Sequence, residues 1–259
     1  MTIRPAILPL RSLMWLGFFG VILVAWMVLY LRAGAMDIDL IGRPGPVGRA
    51  MREMDMAMSM TRFGSLAAMW AVMMAAMMLP TLVPTLRAYG DLITSANGTR
   101  AGWLGVVTGF MLVWVGFAGL IAAAQLALLR VGLIDMLGIA TTGWFAAALL
   151  VGVGLYQFSR AKQVCHGVCH SPSMYFFGHW RTGFAGGARM GLGLGGFCVG
   201  CCWGFMALGF VGGVMSLLWM GLATLFMVIE KLPAIGHRVS RPMGAVLILA
   251  GLGLVINSL

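Results

Sequence analysis

The sequence predicts an all-α, polytopic helical membrane protein with about seven transmembrane helices, or alternatively six. Of its 259 residues 61% are hydrophobic and 9% are charged, which is more apolar surface than a soluble domain of this length can bury. The apolar residues gather in stretches of about 20 residues, the length that crosses the hydrocarbon core of a bilayer. No intervening segment is long enough to build a core of its own, so residues 1–259 are expected to form a single integral membrane domain.

Seven stretches are candidate spans, and six remain if the glycine-rich fifth stretch is re-entrant. They are 13–31, 64–84, 103–129, 142–158, 190–209, 214–230 and 243–258. The first stretch has no small-residue cleavage site after it, so we expect a retained span and no cleaved signal peptide. Pro80 and Pro84 are expected to kink or end the second stretch, and to free carbonyls that neighbouring groups must satisfy.

Basic residues predict the orientation of these spans. The amino terminus and the loops on its side, among them residues 159–189, carry more Arg and Lys than the opposite side. The arginines of the first loop, which lies on the opposite side, favour the reverse orientation. We therefore expect a multi-pass membrane protein with a cytoplasmic amino terminus. The net charge of +10 then reflects contact with anionic lipid. The expected partners are the lipid bilayer and a membrane or periplasmic protein, and not nucleic acid.

Three cysteines lie within "FCVGCCWG", residues 197–204 of the fifth stretch. Cys198, Cys201 and Cys202 are spaced i, i+3, i+4, which places all three on one face of a helix. A single buried cysteine usually packs as a small hydrophobic residue. Three on one stripe favour metal ligation.

A second cluster lies in the loop of residues 159–189, in "KQVCHGVCHSP". Cys165 and Cys169 are four residues apart, as are His166 and His170, so each pair would stack on one face of a helix. Thiolate and imidazole are zinc ligands, and soft thiolates and thioethers select the cuprous ion. Copper is therefore the expected metal and zinc the alternative. In the competing interpretation this segment is a basic loop beside the membrane, and its histidines are exposed to water.

Methionine is abundant, with 23 residues, and concentrates in two places. The first loop, residues 32–63, is methionine-rich and is expected to face the periplasm, where thioethers bind copper under oxidising conditions. Methionine at helical spacing inside a span is more often packing than ligation. The weaker candidate ligands are Met54 and Met58 in the loop and Met69, Met73 and Met77 in the second stretch.

Glycines in the fifth stretch predict close helix packing. Gly187, Gly191 and Gly195 recur every fourth residue, and so do Gly196, Gly200 and Gly204. Such rows let helix backbones approach one another closely in lipid. We therefore expect the cysteine-bearing helix to pack against other helices.

Several functional classes find no support in the sequence. None of the seven acids falls in the middle of a span, so a carboxylate proton relay has no carrier. Glu230 and Lys231, at the end of the sixth stretch, are expected to form an interfacial ion pair. There is no phosphate loop, dinucleotide fingerprint or serine-nucleophile elbow, and the sequence favours a protein that is not an enzyme.

Four segments, in this order, resemble a bacterial family of predicted metal-binding integral membrane proteins with a C-x-x-C-C-W membrane motif. The resemblance extends from about residue 64 onward, and "CVGCCW" is its most specific part. The segments are "MWAVMMAAMMLPTLVP" (69–84), "YQFSRAKQVCHGVCHSP" (156–172), "HWRTGFAGGARMGLGLGGFCVGCCWGFM" (179–206) and "FVGGVMSLLWMGLATLFMVIEK" (210–231).

The resemblance implies a protein of the bacterial inner (cytoplasmic) membrane, with the five cysteines at 165, 169, 198, 201 and 202 as the candidate metal ligands. The family often has a histidine four residues before the first membrane cysteine, and this chain has Leu194 there. If that histidine completes a site, the ligand is lost here, or His166, His170 or His179 replaces it.

The leading functional hypothesis is a copper-handling membrane protein that either transports copper or delivers it to a metalloenzyme. The alternative is a non-catalytic accessory or assembly subunit of a larger membrane complex, in which the cysteines, glycines and methionines only pack. Thiol–disulfide exchange ranks last, because the Cα atoms of cysteines four apart on a helix lie near the upper limit for a disulfide.

Overall fold

The computed structural model describes residues 10–46, 62–232 and 236–258, and within these ranges the chain consists of helices and turns without a strand. This confirms the predicted all-α, polytopic helical fold. In chain order the helices are α1 Leu10–Ala35, α2 Phe63–Ser95, α3 Arg100–Arg130, α4 Gly143–Tyr156, α5 Arg160–His170, α6 Pro172–His179, α7 Gly183–Ala207, α8 Gly209–Gly212, α9 Leu217–Glu230 and α10 Gly236–Ser258.

Each of the seven predicted stretches coincides with a helix. By length and composition, five helical segments of the described ranges can cross a membrane: α1, α2, α3, α7 together with α8, and α10. Helices α4 and α9 are apolar but have 14 residues each. At 1.5 Å per residue they are about 21 Å long, which is shorter than the hydrocarbon core of about 30 Å.

The loop of residues 159–189 is largely helical. Helix α5 begins after Ser159, whose hydroxyl accepts a hydrogen bond from the backbone N–H of Lys162, and α6 follows it directly. Because this segment is helical, Cys165 and Cys169, which are four residues apart, lie on one face of α5. In the first loop α1 continues to Ala35. Most of the methionine-rich part of this loop, with the candidate ligands Met54 and Met58, lies outside the described residues.

Helix α2 does not end at its prolines. Pro80 and Pro84 both lie inside the helix, so the expectation that one of them could terminate it was wrong. Because proline has no N–H, Pro80 leaves the carbonyl of Ala76 without its helical donor. The indole N–H of Trp26 on α1 donates to that carbonyl at 3.1 Å. A neighbouring helix thus satisfies the backbone group that the proline frees.

Glycines bring α7 into direct backbone contact with α3, and this is the most extensive helix pair in the described part of the chain. A Cβ atom at Gly187 would collide with the carbonyl of Gly102, and one at Gly191 would collide with the carbonyl of Val106. The predicted glycine row therefore packs within this chain. It fixes α7, and with it the three cysteines near the end of that helix.

We expect Gly191→Ala to destabilise the protein by about 1–3 kcal/mol, because the added methyl group has to push two backbones apart. Gly196 is the matched control, since it lies on the exposed side of the same helix and no heavy atom would contact its Cβ. Gly196→Ala is expected to be neutral or slightly stabilising, because alanine favours the helix. Thermal unfolding of both variants in one detergent measures the difference, and equal midpoints would contradict the role of this crossing.

Candidate metal centre

The cysteine stripe of α7 is fully enclosed by protein. Cys198, Cys201 and Cys202 are 0%, 2% and 1% exposed. The thiol of Cys201 donates to the carbonyl of Cys198 at 3.2 Å, and its sulfur lies 3.2 Å from that of Cys202. Close packing around this helix therefore buries three thiols on one face, as the spacing predicted.

Helix α5 adds a fourth cysteine to this place. The Sγ atoms of Cys201 and Cys169 are 3.8 Å apart, and Cys169 is buried. The sulfurs of Cys169, Cys198 and Cys201 all lie within 4.8 Å of one another. The two cysteine clusters, more than 25 residues apart in sequence, thus meet in space. We call these three residues the thiol set.

The two remaining cysteines border the thiol set. Cys202 touches it through Cys201. Cys165 is half-buried, one turn before Cys169, and packs against α7 at Gly200, where an added Cβ would come within 2.6 Å of its sulfur. Cys165 is therefore the most accessible of the five thiols.

The thiol of Cys169 is held in its protonated form. Its hydrogen bond with Cys198 and its burial raise the pKa of Cys169 well above the usual range, although the hydrogen bond from Cys201 opposes this. Burial also raises the pKa of Cys165. Because thiolate is the form that binds metal, uptake of an ion at this position releases a proton.

A buried ammonium group lies against the thiol set. Lys231, the residue after α9, donates to Cys198 Sγ at 3.1 Å and to Thr81 Oγ1 on α2 at 2.9 Å. Burial opposes the charged form, but the interaction with the neighbouring cysteines, Cys198 above all, outweighs it and raises the pKa of Lys231. The ion pair expected between Glu230 and Lys231 does not form, because consecutive helical residues do not face each other.

Glu230 instead anchors α5. Its carboxylate lies 2.7 Å from Lys162 Nζ, with side-chain exposures of 1% and 2%. It also accepts a hydrogen bond from the hydroxyl of Ser240 on α10 at 2.5 Å. The ring Nε2 of His166 is 2.8 Å from the carbonyl of Glu230, and Nε2–H is the donor of this bond. These contacts attach α5, which carries Cys169, to the end of α9.

The structure does not bring the candidate histidines into the thiol set. His166 contacts Glu230, and burial lowers its pKa below the ordinary value of 6.5, which favours the neutral ring. The ring of His170 lies 5.4 Å from that of His166. His179 stacks on Tyr175 at the exposed surface. Ligation by His166 or His170 stays a prediction.

The methionine row of α2 is part of the core. Met69, Met73 and Met77 are all buried. Met77 lies one turn before Thr81, the residue that binds Lys231, so the end of the row is on the helix face that carries this contact. Packing accounts for these positions, and ligation by them stays a prediction.

A polar cavity of about 380 Å³ borders α5. It is lined by Gln157, Lys162, Gln163, His166, Ser240 and Arg241. His166, which lines the cavity, is one helical turn before Cys169 on α5. The cavity therefore comes within about one helical turn of the thiol set.

Three converging sulfurs in a closed site form a soft donor set. Soft thiolates select Cu(I), whereas structural Zn(II) is almost always bound by four ligands in a tetrahedron. The geometry thus suits copper chemistry, and the residues around it supply a fixed positive charge and a rigid frame. Zinc binding would need a further donor, for which Cys202 is the nearest thiol in contact with the set.

Comparison with known proteins agrees with a copper-related chain. A family model described as PpoB2, copper chaperone, matches residues 67–254, which include all five cysteines and Lys231. No curated protein and no solved structure matches the chain. The match also agrees with the resemblance to a metal-binding family. Since the matched segment covers well over half of its length, the chain belongs to the PpoB2 copper chaperone family.

Proposed function

We propose that this protein is a membrane copper chaperone that holds one Cu(I) ion on Cys169, Cys198 and Cys201 and delivers it to a protein partner. The observation that carries the proposal is the thiol set, in which two helices place three buried sulfurs within 4.8 Å of one another. Membership of a copper chaperone family supports it. Five long apolar helices support a location in the bacterial inner membrane, with the amino terminus and α5 on the cytoplasmic side.

Delivery requires that copper can leave a buried site. Cys165 meets this need, because it is half-buried, one turn from Cys169, and its sulfur packs beside Gly200, the neighbour of Cys201. Copper can thus pass between thiols by ligand exchange, with Cys165 as the outermost one. We therefore favour delivery over transport across the membrane.

The alternative of an accessory subunit assigns the cysteines and glycines to packing alone. The row at Gly187 and Gly191 packs against α3 of the same chain, so it is not available as an interface for a partner. Packing also does not explain why a lysine ammonium is buried against Cys198. These two observations favour metal binding.

The test is Cu(I) titration of the purified full chain in detergent, anaerobically and with a chromophoric Cu(I) competitor, followed by elemental analysis. We expect about one copper per wild-type chain and almost none in the triple variant Cys169→Ser/Cys198→Ser/Cys201→Ser. Circular dichroism and size-exclusion chromatography establish that the variant is folded. Near-zero copper in both proteins would refute the proposal, and so would equal copper in both.

A further inference from the structure

Lys231 places a charged group in direct contact with the thiol set. Its Nζ donates to Cys198 Sγ at 3.1 Å, and the residue is 6% exposed. A metal bound by Cys198 would lie about 2.3 Å from that sulfur. The ammonium nitrogen is therefore within about 5.4 Å of an ion bound by Cys198.

The ammonium is held in place by α2 and α3 as well. It donates to Thr81 Oγ1 at 2.9 Å and approaches the Thr81 carbonyl at 3.5 Å. It also lies over the ring of Phe110, 5.7 Å from its centre. Turning Lys231 away from the thiol set would break these contacts inside the core. Its positive charge is thus a fixed part of the site.

On the basis of the proposed copper-binding function, we propose that Lys231 is a specificity-determining residue that favours monovalent Cu(I) over divalent metal ions such as Zn(II). A positive charge repels a bound cation in proportion to the charge of that cation. The same lysine therefore penalises Zn(II) twice as strongly as Cu(I). At about 5 Å and an effective dielectric constant of about 20, one extra unit of charge costs about a hundredfold in affinity.

The ratio of the two affinities isolates this effect. Cu(I) and Zn(II) bound by the three sulfurs of the thiol set displace the same protons, so the cost of deprotonation cancels in the ratio. Cys202→Ser, added to every protein compared, keeps Zn(II) from recruiting a fourth thiol. The hydrogen bond to Cys198 in the metal-free protein cancels too. What remains is the difference in repulsion from Lys231, together with the intrinsic preference of sulfur for each ion, which the variants leave unchanged.

The experiment compares wild type with Lys231→Leu, which leaves an apolar side chain with neither a charge nor a sulfur atom at this position. Cu(I) and Zn(II) affinities are measured on the full chain by competition with chelators of known affinity. We expect the Cu(I)/Zn(II) affinity ratio to fall by about a hundredfold in Lys231→Leu, because the affinity for Zn(II) rises more than the affinity for Cu(I). Lys231→Arg is the charge-keeping control and is expected to retain the ratio within a few-fold.

Two additions keep the test decisive. Lys231→Gln is a second neutral variant that can still form a hydrogen bond with Thr81, for use if Lys231→Leu fails to fold. Ag(I) and Cd(II) also differ by one charge, so their ratio should shift by a similar factor in the neutral variants. An unchanged ratio for both pairs of ions overturns the role of Lys231 while copper binding stands. Failure of wild type to bind any of these ions instead refutes the proposed function.

Discussion

Cys169→Ser is expected to lower the affinity for Cu(I) by more than about a hundredfold, although this residue lies outside the membrane-spanning cysteine motif. Loss of a residue that only supports a ligand already costs about 10- to 100-fold, and Cys169 is proposed as a ligand itself. Its sulfur is 3.8 Å from that of Cys201, so the serine variant leaves two sulfurs from α7 to hold the ion. Competition with a chromophoric Cu(I) chelator measures the affinity.

Cys165→Ser is the matched control, with the same change on the same helix one turn earlier. Because Cys165 is half-buried and borders the thiol set, its loss should leave the equilibrium affinity within a few-fold of wild type. It should, however, slow the transfer of copper from the loaded protein to an external chelator, followed by stopped-flow absorbance. Equal affinity losses in both variants would contradict the separation of a binding thiol from an exchange thiol.

Glu230→Gln is expected to destabilise the protein by about 3–5 kcal/mol, because it leaves the buried ammonium of Lys162 without a counter-charge. The pair is almost fully buried, with 2.7 Å between nitrogen and oxygen. A loss of this size lowers the thermal unfolding midpoint by roughly 10 °C. Copper affinity should fall as well, since Glu230 attaches the helix that carries Cys169.

Two controls separate this ion pair from a general effect of removing an acid. Asp91→Asn makes the same chemical change at an exposed position of α2, where water screens the interactions of a carboxylate, and should shift stability by less than about 1 kcal/mol. The double variant Lys162→Met/Glu230→Leu removes both charges and should recover most of the loss, because a buried pair can be replaced by apolar side chains. A double variant as unstable as Glu230→Gln would contradict this explanation.

Span length and apolar composition suffice to predict the all-helical fold, because a segment in lipid has to satisfy its own backbone hydrogen bonds. The helix ends are less predictable. Pro80 and Pro84 looked like terminators, but Trp26 of another helix satisfies the carbonyl that Pro80 frees. That partner is 50 residues away, so no local pattern could reveal it. Likewise, the polar loop of residues 159–189 folds into helices that pack on the bundle.

The thiol set was only partly predictable for a similar reason. Helical spacing places Cys198 and Cys201 on one face, but only the folded chain shows that Cys169 joins them. Lys231 was missed as a site residue because it follows Glu230 directly and suggested a pair. Consecutive charges at the end of an apolar helix point in different directions, so each needs its own partner. The adjacent charges of Glu230 and Lys231 at the end of an apolar helix were therefore the sequence signal for two separate buried contacts.

X-ray absorption at the copper edge of the Cu(I)-loaded full chain tests the central claim most directly. We predict a first shell of three sulfur atoms in wild type and of two sulfurs in Cys169→Ser. The Lys231→Arg variant should keep the three-sulfur shell. A first shell of nitrogen or oxygen atoms, or a sulfur shell that persists unchanged in Cys169→Ser/Cys198→Ser/Cys201→Ser, would contradict a copper site built from α5 and α7.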